Sequence, residues 1–242
     1  MNDEVPLSII VPVLNEAPGI VASLQTLQSL RARGGEIVVV DGGSTDNTSE
    51  LAQTLADQVV AAPRGRARQM NAGAQAARGR TLLFLHADTR LPEQADRDIL
   101  TSLNTASDGG AWGRFDVTIE GRSPWLKLVA GMMNWRSRLT GIATGDQAIF
   151  VSRRAFEAVG GYPDIPLMED IALSKALKRS PHAGRPVCLV ARVTTSGRRW
   201  EKNGVWRTIV FMWSLRLRYF LGADPIRLAA DYGYLPRPHD PS

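Results

Sequence analysis

The strongest constraint on how this chain can fold is an alternation, through residues 7–89, of short apolar runs with stretches of helical period. "LSIIV" (7–11), "EIVVV" (36–40), "QVVAA" (58–62) and "TLLFL" (81–85) read as strands. Their unbroken apolarity suits strands buried on both faces. Between them, "APGIVASLQTLQSL" (17–30) reads as a helix, with Pro18 in its first turn and Ile20, Leu24 and Leu27 on one face. Ser44, Thr45 and Asp46 offer an N-cap for a helix through Leu55. "RARQMNAGAQAA" (66–77) puts Ala67, Met70, Ala74 and Ala77 on one side of another. This rhythm predicts a parallel, doubly wound sheet. Open sheets of that kind bind ligands just beyond the carboxyl ends of their strands.

The polar residues gather at those ends. "PVLNE" (12–16) follows the first strand and "DGGSTDNT" (41–48) the second, while "RGRARQMNAG" (64–73) precedes a strand that ends in "HADT" (86–89). Each cluster alone has an ordinary structural explanation. Asn15 and Glu16 could cap a helix, Asp41 with Gly42 and Gly43 could form a tight turn, and Asn71 could face solvent. Asp88 and Thr89 could form an Asx-type turn beside a satisfied His86. Convergence of all four on one sheet edge favours a binding crevice. There, Asp41 and Glu16 could accept hydrogen bonds from a base N–H or a ribose hydroxyl, and Arg64, Arg66 and Arg68 could pair with phosphate oxygens. Asp88 could hold a hard divalent cation bridging two phosphates.

The glycine-rich phosphate loops of other nucleotide binders are missing. No G-x-G-x-x-G follows the first strand and no G-x-x-x-x-G-K-[ST] occurs, which removes the main support for an NAD-dependent reductase or a P-loop enzyme. A sugar nucleotidyltransferase would need a glycine-rich loop where this chain has "PVLNE". The single cysteine, Cys188, excludes an intrachain disulfide and a cysteine-cluster metal site, and suits a reducing compartment. A net charge of +5 points to anionic partners such as nucleotide phosphates or an acidic membrane surface; nucleic acid is not expected. No secretory signal pattern and no apolar run of spanning length is visible, so a cytoplasmic location is expected.

The second half is less regular. "AWGRFDVTI" (111–119) and "QAIFVS" (147–152) read as strands, and "SPWLKLVAGMMNWRSRL" (123–139), "RRAFEAVGG" (153–161) and "EDIALSKALKR" (169–179) as helices. After "VCLVARV" comes a tail of helical spacing over about 203–221. In it Trp206, Ile209, Val210, Trp213, Leu217 and Phe220 recur every three or four residues, while Arg207, Arg216, Arg218 and Arg227 face a single acid, Asp224. Such a stripe either packs into the core or lies in an anionic membrane interface. Its arginines argue against a spanning helix.

"IIVPVLNE", "VVVDGGSTDNT", "NAGAQAARG" and "LLFLHADT", in that order, resemble the donor half of the family 2 glycosyltransferases. Within that family the chain is most similar to small bacterial transferases carrying "FLHADT", a group labelled arsenosugar-biosynthesis glycosyltransferases. The resemblance continues through "TGDQAIFVSRRAFEAVGGY" (144–162) and "PLMEDIALSKAL" (166–177). It implies an α/β GT-A fold: a Rossmann-like, mixed and mostly parallel sheet flanked by helices, with a C-terminal helical annex. The implied domain spans 1–195, with a nucleotide-sugar half at 7–89 and an acceptor half at 110–180; the annex spans 196–242.

The resemblance also implies an inverting, divalent-metal-dependent transfer from a nucleotide-diphosphate sugar, a UDP-sugar before others, to a small-molecule or lipid-linked acceptor. Pro12, Asn15, Glu16, Asp41, Ser44, Arg64, Arg66, Asn71, His86, Ala87 and Asp88 would form the donor site, with Asp88 holding Mg²⁺ or Mn²⁺. Relatives often carry Asp-x-Asp at this strand end; Asp88 matches the last Asp, and His86 stands at the first. Gly145, Asp146, Glu169 and Trp200 would lie on the acceptor side, and Asp170 would be the general base. Asp170 also falls in the first turn of a helix, where an acid suits the helix dipole in any case. Residues 112–150 and the tail are the candidates for a cover that excludes water. A non-catalytic nucleotide-sugar-binding module is the alternative that the His86 departure leaves standing. Peripheral contact with the inner face of a membrane is a further expectation.

Overall fold

Strand β1 (Leu7–Val13) lies between two parallel neighbours, and everything that positions the site follows from that. In the computed structural model, which describes residues 5–105 and 111–234, the first half runs β1, α1 (Ala17–Thr26), α2 (Gln28–Ala32), β2 (Glu36–Asp41), α3 (Thr48–Gln53), β3 (Gln58–Ala61), α4 (Arg66–Ala76) and β4 (Thr81–Phe84). It continues through β5 (Thr89–Arg90), α5 (Ala95–Thr105), β6 (Trp112–Glu120), α6 (Trp125–Thr140) and a 3₁₀ turn at Gly145–Gln147. Then come β7 (Phe150–Ser152), α7 (Arg153–Ala158), α8 (Glu169–Arg179) and β8 (Val187–Ser196). Three helices follow: α9 (Arg198–Asn203), α10 (Val205–Phe220) and α11 (Pro225–Asp231). The expected limits at 1–4, 110 and 235–242 lie outside the described residues.

The sheet order is β3-β2-β1-β4-β7-β6-β8-β5. β1, β2, β3 and β4 pair in parallel, as the alternation predicts. The second half departs from a purely parallel sheet: β7 inserts antiparallel between β4 and β6, and β5 pairs antiparallel with β8. The sheet is therefore mixed.

Alternate side chains of the central strands feed two cores. Ile9, Val11, Ile37, Val39 and Leu83 enter one cluster with α1 and α6; Ile10, Val38, Val40 and Leu82 enter the other with α4. Helix α4 sits so close to the sheet that a Cβ at Gly73 would lie 2.4 Å from Ile10 Cγ2.

Several predicted elements shift for local reasons. The helix expected over 17–30 divides at Leu27, whose N–H bonds Leu24 O in a tight 3.1 Å step. Asn47 is the N-cap of α3, because Ser44 turns back to Asp41 and does not cap the helix. The strand expected from 147 starts at Phe150, since Thr144 and Gln147 form a capping box that winds 145–147 into a turn. The tail helix breaks at Gly204, which has φ +81°. Helices α10 and α11 dock on α8 through a third cluster, in which Ile171, Leu215, Leu228 and Ala229 are buried. Among the described residues, no helix is long and apolar enough to cross a membrane.

Candidate active site

Chain connections from β1 lead to β2 on one side and, after β3, to β4 on the other. The sheet order therefore reverses between β1 and β4. Segments leaving the carboxyl ends of these two strands splay apart there. Leu14 and Glu16 follow β1, and His86, Ala87 and Asp88 follow β4; all five line one cleft of about 380 Å³. A strand buried to Leu85 delivers a histidine and an aspartate because its end opens into this crevice.

The loops beyond β1 and β2 are latched together. Asn15, at φ +55°, donates its N–H to Ser44 Oγ at 2.9 Å, and its Oδ1 accepts from Thr45 N at 2.8 Å. Glu16 N–H bonds Thr48 Oγ1 at 2.8 Å. Asp41 accepts from Ser44 N at 3.1 Å and from Ser49 Oγ at 2.8 Å. Asn15, Asp41 and Ser44 thus latch the loops at the carboxyl ends of β1 and β2, beside the residues that line the cleft. Pro12 lines the cleft itself. Beside it, the buried Gln69 donates to Val13 O at 2.8 Å and Val40 O at 2.9 Å, tying the ends of β1 and β2 together.

The facing wall comes from the second half. Gly145, Asp146, Glu169 and Asp170 all line the same cleft. Asp170 Oδ2 accepts the Gly145 N–H at 2.9 Å and Oδ1 accepts the Ile171 N–H at 2.7 Å, so the carboxylate is fixed at both oxygens. His86 Nδ1 lies 3.4 Å from Asp146 Oδ1, joining the two halves. The contact needs glycine at 145: a Cβ there would stand 2.6 Å from His86 Nε2. Among the described residues, the non-glycine residues with positive φ are Asn15, Ala148 and Met168. Each is next to or near a cleft-lining segment, and Met168, at φ +69°, aims the acidic pair that follows it. Left-handed backbone at such side chains costs on the order of 1–3 kcal/mol and collects at functional sites.

Charges in the cleft are set against one another. Burial and the nearby Asp88 carboxylate raise the Glu16 pKa, against the Arg198 cation. Burial, then the charge of Asp170, push Glu169 up to about 7, although Arg66 and His86 oppose them. Burial also works against Asp146, but its hydrogen bond to His86 and the Arg66 and Arg216 guanidiniums help outweigh it and hold Asp146 below the usual carboxylate range. Arg66 keeps wetted surface while surrounded by protein, as a side chain in an open crevice must. Despite desolvation its pKa rises, through Glu169, Tyr232, Asp146 and Asp170.

Two other arginines from the same motif leave the cleft. Arg64 lies 5.4 Å from the centre of the Tyr234 ring, and Arg68 pairs with Asp164 at 3.0 Å. Asn71 also turns away, since its amide donates to Tyr162 O at 2.8 Å and accepts Tyr162 N–H at 2.9 Å. Expected to brace the donor pocket, it ties α4 to the segment at Tyr162. The tail supplies much of the remaining wall: Trp200 from α9, Met212 and Arg216 from α10, then Tyr232 and Tyr234. Of these the sequence places only Trp200 at the site; Arg216 stands out there only as one of the tail's basic residues. A glutamine on the apolar side of α4 was the available signal for Gln69; for Tyr232 and Tyr234 there was none.

No three metal-ligating side chains converge among the described residues. Asp88 is the cleft carboxylate that could hold a divalent ion, since Mg²⁺ is commonly bound through only one or two carboxylates. The mutual repulsion of Glu16 and Asp88 favours a cation in the same place.

Fold and site together define a protein that receives a ligand at the switch point of a Rossmann-like sheet, with acids on both walls. Residues 8–159 match the family described as Glycosyl transferase family 2, and the chain belongs to that family. A curated relative, "PGL/p-HBAD biosynthesis glycosyltransferase" of Mycobacterium tuberculosis, is 38% identical over 93 residues. The match covers 36% of this chain and 36% of that protein, so it spans about a third of the relative's length. S. aureus TarS 1-349 in complex with UDP-GlcNAc has a similar structure, with a TM-score of 0.62 at 18% identity over 79% of this chain and 58% of that one. Mannosyltransferase PcManGT from Pyrobaculum calidifontis, in complex with GDP-Man and Mn²⁺, has a TM-score of 0.60 at 21% identity over 96% and 65%. At these identities the structural likeness shows the GT-A-like fold.

Proposed function

We propose that the chain catalyses inverting transfer of a sugar from a nucleotide-diphosphate sugar, a UDP-sugar in the first instance, with Asp170 as general base. Asp170 takes the proton of the acceptor nucleophile as that atom attacks the anomeric carbon and the bond to the diphosphate breaks. Pro12, Glu16 and Arg66 hold the donor, and Gly145 keeps Asp170 aimed through its N–H. A divalent ion, Mn²⁺ or Mg²⁺, held by Asp88 and the donor would supply charge neutralisation for the leaving diphosphate. Residues 1–195 serve as the GT-A domain, with the helices from 196 onward as its cover. The wording of "FLHADT" supports kinship with the small bacterial arsenosugar-biosynthesis transferases.

The observation that carries this reading is that Asp88 and Asp170, from opposite halves of the chain, wall one cleft. Asp170→Asn is expected to lower kcat by about 10²–10⁴-fold with donor affinity largely kept. Collapse of donor affinity would make Asp170 a binding residue. Absence of both transfer and donor hydrolysis across UDP-, GDP- and dTDP-sugars with Mn²⁺ would favour a binding module.

The same proposal includes peripheral contact with an anionic membrane, which suits a lipid-linked acceptor. Helices α6 and α10 lie side by side, with the Trp125 and Trp206 rings 4.9 Å apart. Together they expose Trp135 (67%), Trp213 (61%) and Leu217 (61%), and neither helix contains an acid. Exposed Lys127 and Arg207 flank this apolar face, a pattern that suits the boundary between headgroups and acyl chains.

A further inference from the structure

Between α6, α8 and α10, apart from the main cleft, is a cavity of about 560 Å³. Among the described residues five cations line it, Arg136, Lys175, Lys178, Arg179 and Arg216, and no acid does. Two of them are costly as they stand. Arg136 Nε and Nη2 and Arg216 Nε are buried without a hydrogen-bond partner among the described residues. Buried donors of this kind normally find an acceptor, and a charged one left unpaired carries a large penalty. Burial and the neighbouring Arg216 also lower the Arg136 pKa to about 10, with the nearby Asp170 opposing them. Lys175 is held over aromatic faces, its Nζ 4.9 Å from the Tyr219 ring and 4.3 Å from that of Phe220. Trp213 and Phe220 line the cavity and are also exposed on the apolar face, so the cavity opens where that face ends. Arg216 lines both this cavity and the main cleft.

We propose that this cavity is an anion site for the phosphate-type headgroup of a membrane lipid, whose acyl chains continue onto the apolar face of α6 and α10. Guanidinium groups match phosphate oxygens in geometry, and the five cations that line the cavity supply the positive charge such a headgroup needs. The apolar rim selects an anion carried on a lipid over a free one. This inference rests on the membrane reading above and names what the surface recognises.

Vesicle co-sedimentation of the full chain tests it, comparing phosphatidylcholine vesicles that carry phosphatidic acid with vesicles brought to the same surface potential by oleate. Binding to the phosphatidic acid vesicles is expected to be at least about tenfold tighter, and Arg136→Gln should reduce it to the oleate level. Should Arg136→Gln not fold, Arg179→Gln, at the exposed end of the cluster, should lower the same preference. Equal binding to both vesicle types, unchanged in these variants, would overturn the headgroup site and leave general membrane contact intact. Lack of binding to any vesicle would overturn the membrane reading as well. A parallel titration with inorganic phosphate is expected to be weak. Arg136-dependent saturation by inorganic phosphate, as tight as that by the vesicles, would assign the cavity to a soluble anion and overturn the lipid.

Discussion

Glu169 offers a direct test of the cleft's electrostatics. It is 5% exposed, and burial with Asp170 beside it raises its pKa from 4.5 to about 7. The folded protein therefore favours the protonated carboxyl more than the unfolded chain does. Stability from this source is fully present below about pH 4.5 and is lost as the pH rises through about 7. At pH 8 the ionised group costs the fold on the order of 3 kcal/mol, at about 1.4 kcal/mol for each factor of ten in the proton equilibrium. Glu169→Gln keeps the shape and removes the ionisation. Its Tm should match that of the wild type at pH 5 and exceed it by roughly 6–12 °C at pH 8, given about 2–4 °C per kcal/mol in a chain of this size. Thermal unfolding of both proteins in EDTA across that range measures the difference, in which the titration of all other groups largely cancels. Parallel pH curves, or a variant less stable than wild type at pH 8, would refute the argument.

Asp88→Asn should abolish turnover and metal-dependent donor binding while the fold persists, whereas His86→Ala should keep measurable activity; thermal shifts with UDP, with and without Mn²⁺, check both. Near-normal rates for Asp88→Asn in Mn²⁺ would remove Asp88 from the metal site. Gly145→Ala must displace the His86 ring, at an overpacking cost of about 1–3 kcal/mol. Because it also shifts the N–H that aims Asp170, it should lower kcat roughly 10–100-fold. Combining it with His86→Ala should restore the Tm but not the rate, as unfolding and initial-rate measurements would show.

What could be read in advance follows from how local each signal is. Strands β1, β2 and β4 were legible because burial on both faces demands unbroken apolarity, and Ile9, Ile10, Val38 and Val39 supply it. The crevice was legible because strand ends in such a sheet share an edge. Strand β8 is the apolar run "VCLVARV" extended to Ser196, lying between the helix read over 169–179 and the helical tail. It pairs with β6 across a register shift between Phe115 and Asp116. That stretch of β6 carries the fully buried Arg114, ion-paired with Asp116, which Arg138 also contacts at 2.7 Å. Strand β5, Thr89–Arg90, is too short to leave a pattern. Asn71 shows the limit of reading by position: a bracing role is legible from its motif, but its partner, a peptide 91 residues away, is not.

Walls that include both Pro12 and Tyr234 make the cleft a site of long sequence separation. Loop-closure entropy must be met before such contacts stabilise anything, so they form late in folding. The β1–β4 sheet, with its nearby pairings, can assemble while the cleft is still open along the side that α10 and α11 will cover. Refolding should therefore proceed in two stages, with recovery of strand signal ahead of recovery of nucleotide binding. An inhibitor or partner that intercepts the tail before it docks on Ile171 would leave a well-formed sheet with no closed reaction chamber.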